Sequence, residues 1–120
     1  MFTVEELSLK IKDGKSIAVD FDGVIVTDKF PEIGEPNLEL VKWLNDYRAR
    51  GGKLVLWTSR NNECDFALNK AVAFCKSIGL EFDAVNENLP EVKAKWGADT
   101  RKVLTSYYLD DKAVEWKSMN

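Results

Sequence analysis

The sequence predicts an α/β fold: a three-layer, Rossmann-like parallel sheet with helices on both faces. Apolar runs without polar alternation, Ile17-Ala18-Val19 and Leu54-Val55-Leu56-Trp57, read as strands covered on both sides. Segments of helical spacing lie between such runs, the pattern of βαβ units with right-handed crossovers. Three of the strands end in polar clusters, Asp20/Asp22, Thr58/Ser59 and Asp110/Asp111. In open α/β sheets that carboxyl edge is where ligands bind. One such cluster is a turn; three at one edge make a site.

The 120 residues form one domain (1–120), long enough for a proper core but not for a second lobe. Seventeen basic against twenty acidic residues leave a net charge of −3, so nucleic acid is not indicated as a partner. No apolar run approaches the ~20 residues of a membrane span, and the first residues lack a signal-peptide pattern. A cytoplasmic protein without a membrane partner is expected. The chain has no histidine, which removes zinc sites built on His and Cys and the usual nucleophilic triads. Catalysis must therefore run on carboxylates, lysines, hydroxyls or a bound cation.

Taken in order, Thr3 is an N-cap with Glu6 closing a capping box and Phe2 stapled to Leu7, which starts a helix over 3–12. Asp13-Gly14 ends it, and the central strand follows at 16–21. Residues 23–36, with Gly23, Pro31, Gly34 and Pro36, form a long loop, the kind that covers sites. Phe30 and the prolines there are either a small flap or core packing. Asn37 caps a helix over 38–50 with Leu40, Val41, Leu44 and Tyr47 inward, ended by Gly51-Gly52. A strand over 53–57 leads to Thr58-Ser59-Arg60. Asn61-Asn62 then open a helix through Ser77, with Ala67, Leu68, Ala71, Val72, Cys75 and Ile78 on its apolar face. Cys64 and Cys75 fall eleven residues apart in that helix, too distant for a disulfide, and read as mostly buried and reduced. Residues 82–85 are a short strand, 90–96 a short helix stopped by Gly97, and 106–109 the last strand. A short tail follows from Lys112.

Asp20 and Asp22 alternate along an extended segment and so point the same way, able to converge on one metal or phosphate. The competing reading is a polar turn, since Asp and Gly are ordinary turn residues. Agreement with the other two clusters favours the site.

These segments resemble the motifs of the haloacid dehalogenase (HAD) superfamily, mostly magnesium-dependent phosphatases. Ile17-Ala18-Val19-Asp20-Phe21-Asp22-Gly23-Val24 is similar to the first motif, Thr58 to the hydroxyl of the second, and Tyr107-Tyr108-Leu109-Asp110-Asp111 to the acidic pair of the fourth. Lys102 matches the lone third-motif lysine by position, with Lys93 and Lys95 as the other candidates. The likeness spans residues 16–112. It implies Asp20 as nucleophile and Asp22 as general acid/base. It also implies Mg²⁺ held by Asp20, the Asp22 backbone carbonyl and Asp110, with Asp111 adding a ligand through water or orienting a neighbour. Thr58 and the amides near it, Ser59 among them, would hold the phosphoryl oxygens at a helix N-terminus, and Lys102 would balance the charge around Asp20. Thr58 as a simple N-cap and Asp111 as a structural carboxylate are the rival roles. Arg60 and Lys112 flank the site, where solvated charge is the commoner fate.

Only 37 residues lie between Asp20 and Thr58 and 51 between Thr58 and Asp110, all used by core elements. Neither gap holds a cap domain, so the expectation is a capless, HAD-like fold with an open site. Such a site suits a bulky phosphorylated substrate, or a second copy of the chain as a lid in a homo-oligomer. The expected activity is hydrolysis of a phosphate monoester through an aspartyl-phosphate. The alternatives are a phospho-acceptor receiver-like module and a non-catalytic binding protein on the same fold. The middle strand of a receiver ends in its phosphorylated Asp, and here it ends in Trp57-Thr58.

Overall fold

The computed structural model describes residues 3–114. Along them run α1 (Val4–Lys10), β1 (Ser16–Val19), α2 (Leu38–Ala49), β2 (Lys53–Leu56), α3 (Ala67–Ser77), β3 (Ala84–Val85), α4 (Pro90–Trp96) and β4 (Tyr107–Leu109). The Phe2 staple and the end of the tail lie outside the described residues. The four strands pair in the order β3-β2-β1-β4, all parallel. The fold is therefore the expected three-layer, Rossmann-like α/β sheet.

Side-chain alternation splits β1 and β2 between two cores. Ile17, Val19, Leu54 and Leu56 face one side, with Leu40, Val41, Leu44 and Tyr47 of α2 and Ala71 and Cys75 of α3. Ala18 and Val55 face the other, with Ala84, Leu89 and Val103, against which Val92 of α4 packs. Chain direction accounts for the split. The steps β1→β2→β3 run one way across the sheet, and β3→β4 crosses back to the far side of β1. Right-handed crossovers then put α2 and α3 on one face and α4 on the other. The reversal falls between β1 and β4, so a crevice opens at the carboxyl ends of those two strands.

Several boundaries differ from the expectation, and at β3, β4 and α3 a side chain takes a backbone partner. The third strand begins at Ala84 and not at 82, because the Asp83 carboxylate accepts the Leu54 N–H at 2.8 Å. Arg48 pairs with that same carboxylate at 3.0 Å and holds it below the ordinary carboxylate range despite burial. The last strand begins at Tyr107, since the Ser106 N–H donates to Ser16 Oγ at 3.0 Å. The helix expected from Asn61 begins only at Ala67. Asn61 Oδ1 accepts the Glu63 N–H, Asn62 Oδ1 accepts the Asn69 N–H, and Asp65 and Phe66 are left-handed. Asparagine side chains thus outcompete the helix for its first backbone donors. Cys64 consequently sits exposed in a turn, against the expectation of a buried helical cysteine. Cys75 is buried, which pushes its thiol up to about 12. Helix α1 is shorter than expected but is capped as read: the Glu6 N–H donates to Thr3 Oγ1 at 3.2 Å. Helix α4 matches its expected range, with Gly97 left-handed at φ 68°.

Tyr47 ties this frame together. Its ring is fully buried, and its hydroxyl donates to the Lys12 carbonyl at 2.7 Å and accepts the Lys15 N–H at 3.0 Å. The turn between α1 and β1 is thereby fixed to α2. Tyr47→Phe is expected to cost about 1–2 kcal/mol, because two part-buried backbone groups lose their partner. Urea unfolding checks this: the midpoint falls while the slope stays constant.

Candidate functional site

β1 carries Asp20 to the crevice. The Asp20 N–H still donates to the Leu109 carbonyl at 3.0 Å, and Asp20 Oδ1 accepts the Phe21 N–H at 2.8 Å. The chain then curls, with the Phe21 carbonyl accepting from Val24, Ile25 and Val26. Gly23 makes that curl possible at φ 86°, and a Cβ there would run into the Asp111 carboxylate. Only glycine meets both demands.

β4 brings Asp110 and Asp111 to the same place. One carboxylate oxygen from each of Asp20, Asp110 and Asp111 lies within 4.8 Å of the others. Burial, and then the charges of Asp110, Asp111 and Asp22, raise the Asp20 carboxyl to about 6, against the lowering effect of the Phe21 N–H. An all-oxygen set of this kind is what hard divalent cations take, so these three residues could hold one.

The Asp22 side chain stands apart from this trio. Arg60 Nε and Nη2 donate to its two oxygens at 2.7 and 2.8 Å, a bidentate ion pair. Arg60 is 2% exposed, so the reading of a solvated charge is corrected here. Its guanidinium lies 5.0 Å from the ring centroids of both Phe21 and Phe30, and it donates to the Pro31 and Glu32 carbonyls at 3.3 and 2.9 Å. Residues 27–35 of the loop therefore form a flap over Arg60, while Val24, Ile25 and Val26 belong to the core. The base of the flap is closed by the Thr27 N–H to the Glu35 carbonyl and the Asn37 N–H to the Ile25 carbonyl, at 2.9 and 2.7 Å.

β2 supplies Thr58. Its Oγ1 accepts the Arg60 N–H at 3.2 Å, and its own N–H donates to Asn86 Oδ1 at 2.8 Å. No helix begins here, so the expected helix N-terminus beneath a phosphoryl group is not found. The Thr58 and Arg60 amides are engaged within the protein, while Ser59 is exposed beside them. Among the described residues, none of Lys102, Lys93 and Lys95 forms an ion pair with Asp20. Lys102 Nζ sits 5.2 Å over the Tyr108 ring, Lys93 pairs with Glu87 at 3.3 Å, and Lys95 lies over Trp96. Lys112 approaches Asp28 of the flap at 4.0 Å, and its N–H donates to Asp110 Oδ1 at 2.9 Å.

Two asparagines beyond β3 are functional supports that the sequence reading missed. Asn86 Oδ1 holds the Thr58 amide and its Nδ2 donates to the Arg60 carbonyl at 3.2 Å. Asn88, 1% exposed, donates through Nδ2 to Asp99 Oδ1 at 2.8 Å and accepts the Leu104 N–H at 2.7 Å, bracing the loop that carries Lys102. The available signal was position: Asn86 follows β3 as Asp20 follows β1, a fourth polar residue at the same sheet edge.

Fold and site define a Rossmann-like α/β protein with an acidic crevice between β1 and β4. A solved structure of a conserved protein from Bacteroides thetaiotaomicron matches it at 35% identity with a TM-score of 0.73, over 85% of this chain and 79% of that one. The chain belongs to the same family as that conserved protein. No protein-family model and no curated protein matches the sequence.

The raised Asp20 carboxyl has a consequence for stability. Since its folded-state value of about 6 exceeds the ordinary 3.8, its favourable contribution is complete below 3.8 and is lost as pH rises through about 6. In chelator, Asp20→Asn should gain stability over wild type across that window, by about 1–2 kcal/mol after allowance for solvent screening. Thermal unfolding of both proteins from pH 4 to 7 checks it; parallel curves would contradict the assignment.

Proposed function

We propose that this protein is an HAD-type, Mg²⁺-dependent phosphohydrolase that cleaves a phosphate monoester. The observation that carries the reading is the meeting of Asp20, Asp110 and Asp111 within 4.8 Å, at the one sheet edge that also bears Asp22 and Thr58. Turn residues have no reason to converge from two strands far apart in sequence. The donor set is hard oxygen throughout, which fits Mg²⁺, and Asp20, Asp110 and Asp111 would hold it, joined by the Asp22 carbonyl. Bound there, the ion offsets the negative charge of the phosphoryl group.

The chain's own residues account for the rest of the reaction. An Asp20 carboxylate oxygen attacks phosphorus, the bond from phosphorus to the leaving oxygen breaks, and an aspartyl-phosphate forms. The Asp22 carboxylate, ion-paired with Arg60, takes the proton of the phosphate monoanion and passes it to the leaving oxygen, then takes one from the water that releases phosphate. The Thr58 hydroxyl hydrogen is free to donate to a phosphoryl oxygen, since Oγ1 acts as acceptor toward Arg60. Ser59 lies exposed next to it as a second donor. Lys102, whose Nζ lies 5.2 Å over the Tyr108 ring, would supply the positive charge that the anion needs. The organic part of the substrate meets only the flap, so a bulky substrate or a second copy of the chain completes the enclosure.

Hydrolysis of an aryl phosphate should require Mg²⁺ and stop on chelation. Asp20→Asn should lower turnover by about 10³-fold or more, and Thr58→Ala by about 10²-fold. A steady-state assay over a broad phosphate panel decides the matter. Failure of the purified protein to turn over any member with Mg²⁺ present would sink the hydrolase reading.

A further inference from the structure

Arg60 is the most heavily committed side chain of the site, yet nothing in the reaction above uses it. Its guanidinium joins three separate pieces of chain. It makes two hydrogen bonds to Asp22 beyond β1, at 2.7 and 2.8 Å, and two to the flap carbonyls of Pro31 and Glu32, at 3.3 and 2.9 Å. The Phe21 and Phe30 rings both lie against it, their centroids each 5.0 Å away. Its own backbone is fixed on both sides, the N–H by Thr58 Oγ1 and the carbonyl by Asn86 Nδ2. Phe30 is 51% exposed, so guanidinium stacking gives this ring a packing partner that the core does not.

We propose that Arg60 is a positioning residue that bolts the flap to Asp22, so that the orientation of the Asp22 carboxyl is set by the same group that holds the flap shut. The reasoning is geometric. Both Asp22 oxygens are taken by one rigid fork, which fixes the carboxylate plane. The same fork reaches the flap through its remaining N–H bonds. Movement of the flap tip therefore pulls on the carboxylate, and a substrate seated under Phe30 reorients Asp22 through Arg60. A lysine cannot substitute, because a single ammonium does not bond two carboxylate oxygens and two carbonyls in fixed planes.

The link to Asp22 rests on the phosphohydrolase reading; the bolt itself does not. The test uses the full chain as wild type, Arg60→Lys, Arg60→Gln and Asp22→Asn, with two readouts. Hydrogen exchange of the Thr27, Glu35 and Asn37 amides, which are hydrogen-bonded across the base of the flap, should accelerate about tenfold or more in both Arg60 variants, while the β2 amides stay protected. Hydrolysis of a series of aryl phosphates of rising phenol pKa should show a leaving-group bias. In the single-turnover burst of phenol release, which reports the phosphorylation step alone, Arg60→Lys should lose little on 4-nitrophenyl phosphate and about tenfold more on phenyl phosphate, as should Asp22→Asn, because only the poorer leaving oxygen needs a well-aimed proton. An equal loss across the series, or unchanged flap exchange, overturns the proposal. If the wild type turns over no ester, the phosphatase reading fails by itself, and the exchange measurement alone upholds or overturns the bolt.

Discussion

Pairing of β1 with β2 on one side and β4 on the other sets Val19, Leu56 and Leu109 in register. The polar residues at the carboxyl edge of the sheet are positioned by that alignment. Parallel strands in register end at the same level, so the residues that follow them emerge together: Asp20, Thr58 a little beyond β2, and Asp110. Right-handed crossovers lead the chain to opposite faces from β1 and β4, so the loops part and the edge stays open. The crevice is a result of handedness and register, with no contribution from an inserted domain.

Such an edge concentrates negative charge, and the molecule handles it in two ways. Asp22 is neutralised within the protein by a buried guanidinium, in an ion pair whose hydrogen bonds are satisfied on both sides. Asp20, Asp110 and Asp111 receive no such partner among the described residues, and burial together with mutual repulsion raises Asp20 to about 6. Unequal treatment of two aspartates one residue apart gives them different chemistry, since one is fixed in direction and the other is left in want of a cation.

Order at this edge is bought largely with side-chain amides. Asn86 holds the Thr58–Arg60 segment, Asn88 braces the loop through Lys102, and Asn61 and Asn62 shape the turn before α3. Asn86 and Asn88 replace backbone pairing where the chain has left the sheet and part-buried N–H groups still need acceptors. The cross-braces from Asn86 and Asn88 make β3, only two residues long, a support for loops on both sides of the crevice.

The sequence by itself determined the strands and helices wherever apolar spacing was strong, as in Ile17–Val19, Leu54–Leu56 and the Leu40–Tyr47 face of α2. It also placed Asp20, Asp22, Thr58, Asp110 and Asp111 at strand ends, because period and composition are local signals. It overextended α3, where the Asn62 side chain takes the Asn69 N–H against the helical pattern, and the third strand, where Asp83 takes the N–H of Leu54 from a distant part of the chain. Arg60 was unreadable for a related reason. An arginine next to a strand end is ordinarily solvated, and only the fold brings Asp22, Phe21 and the flap around it. Tertiary structure alone decided which carboxylates share a cluster and which has a cation. Those facts depend on the order β3-β2-β1-β4, which puts residues far apart in the chain side by side.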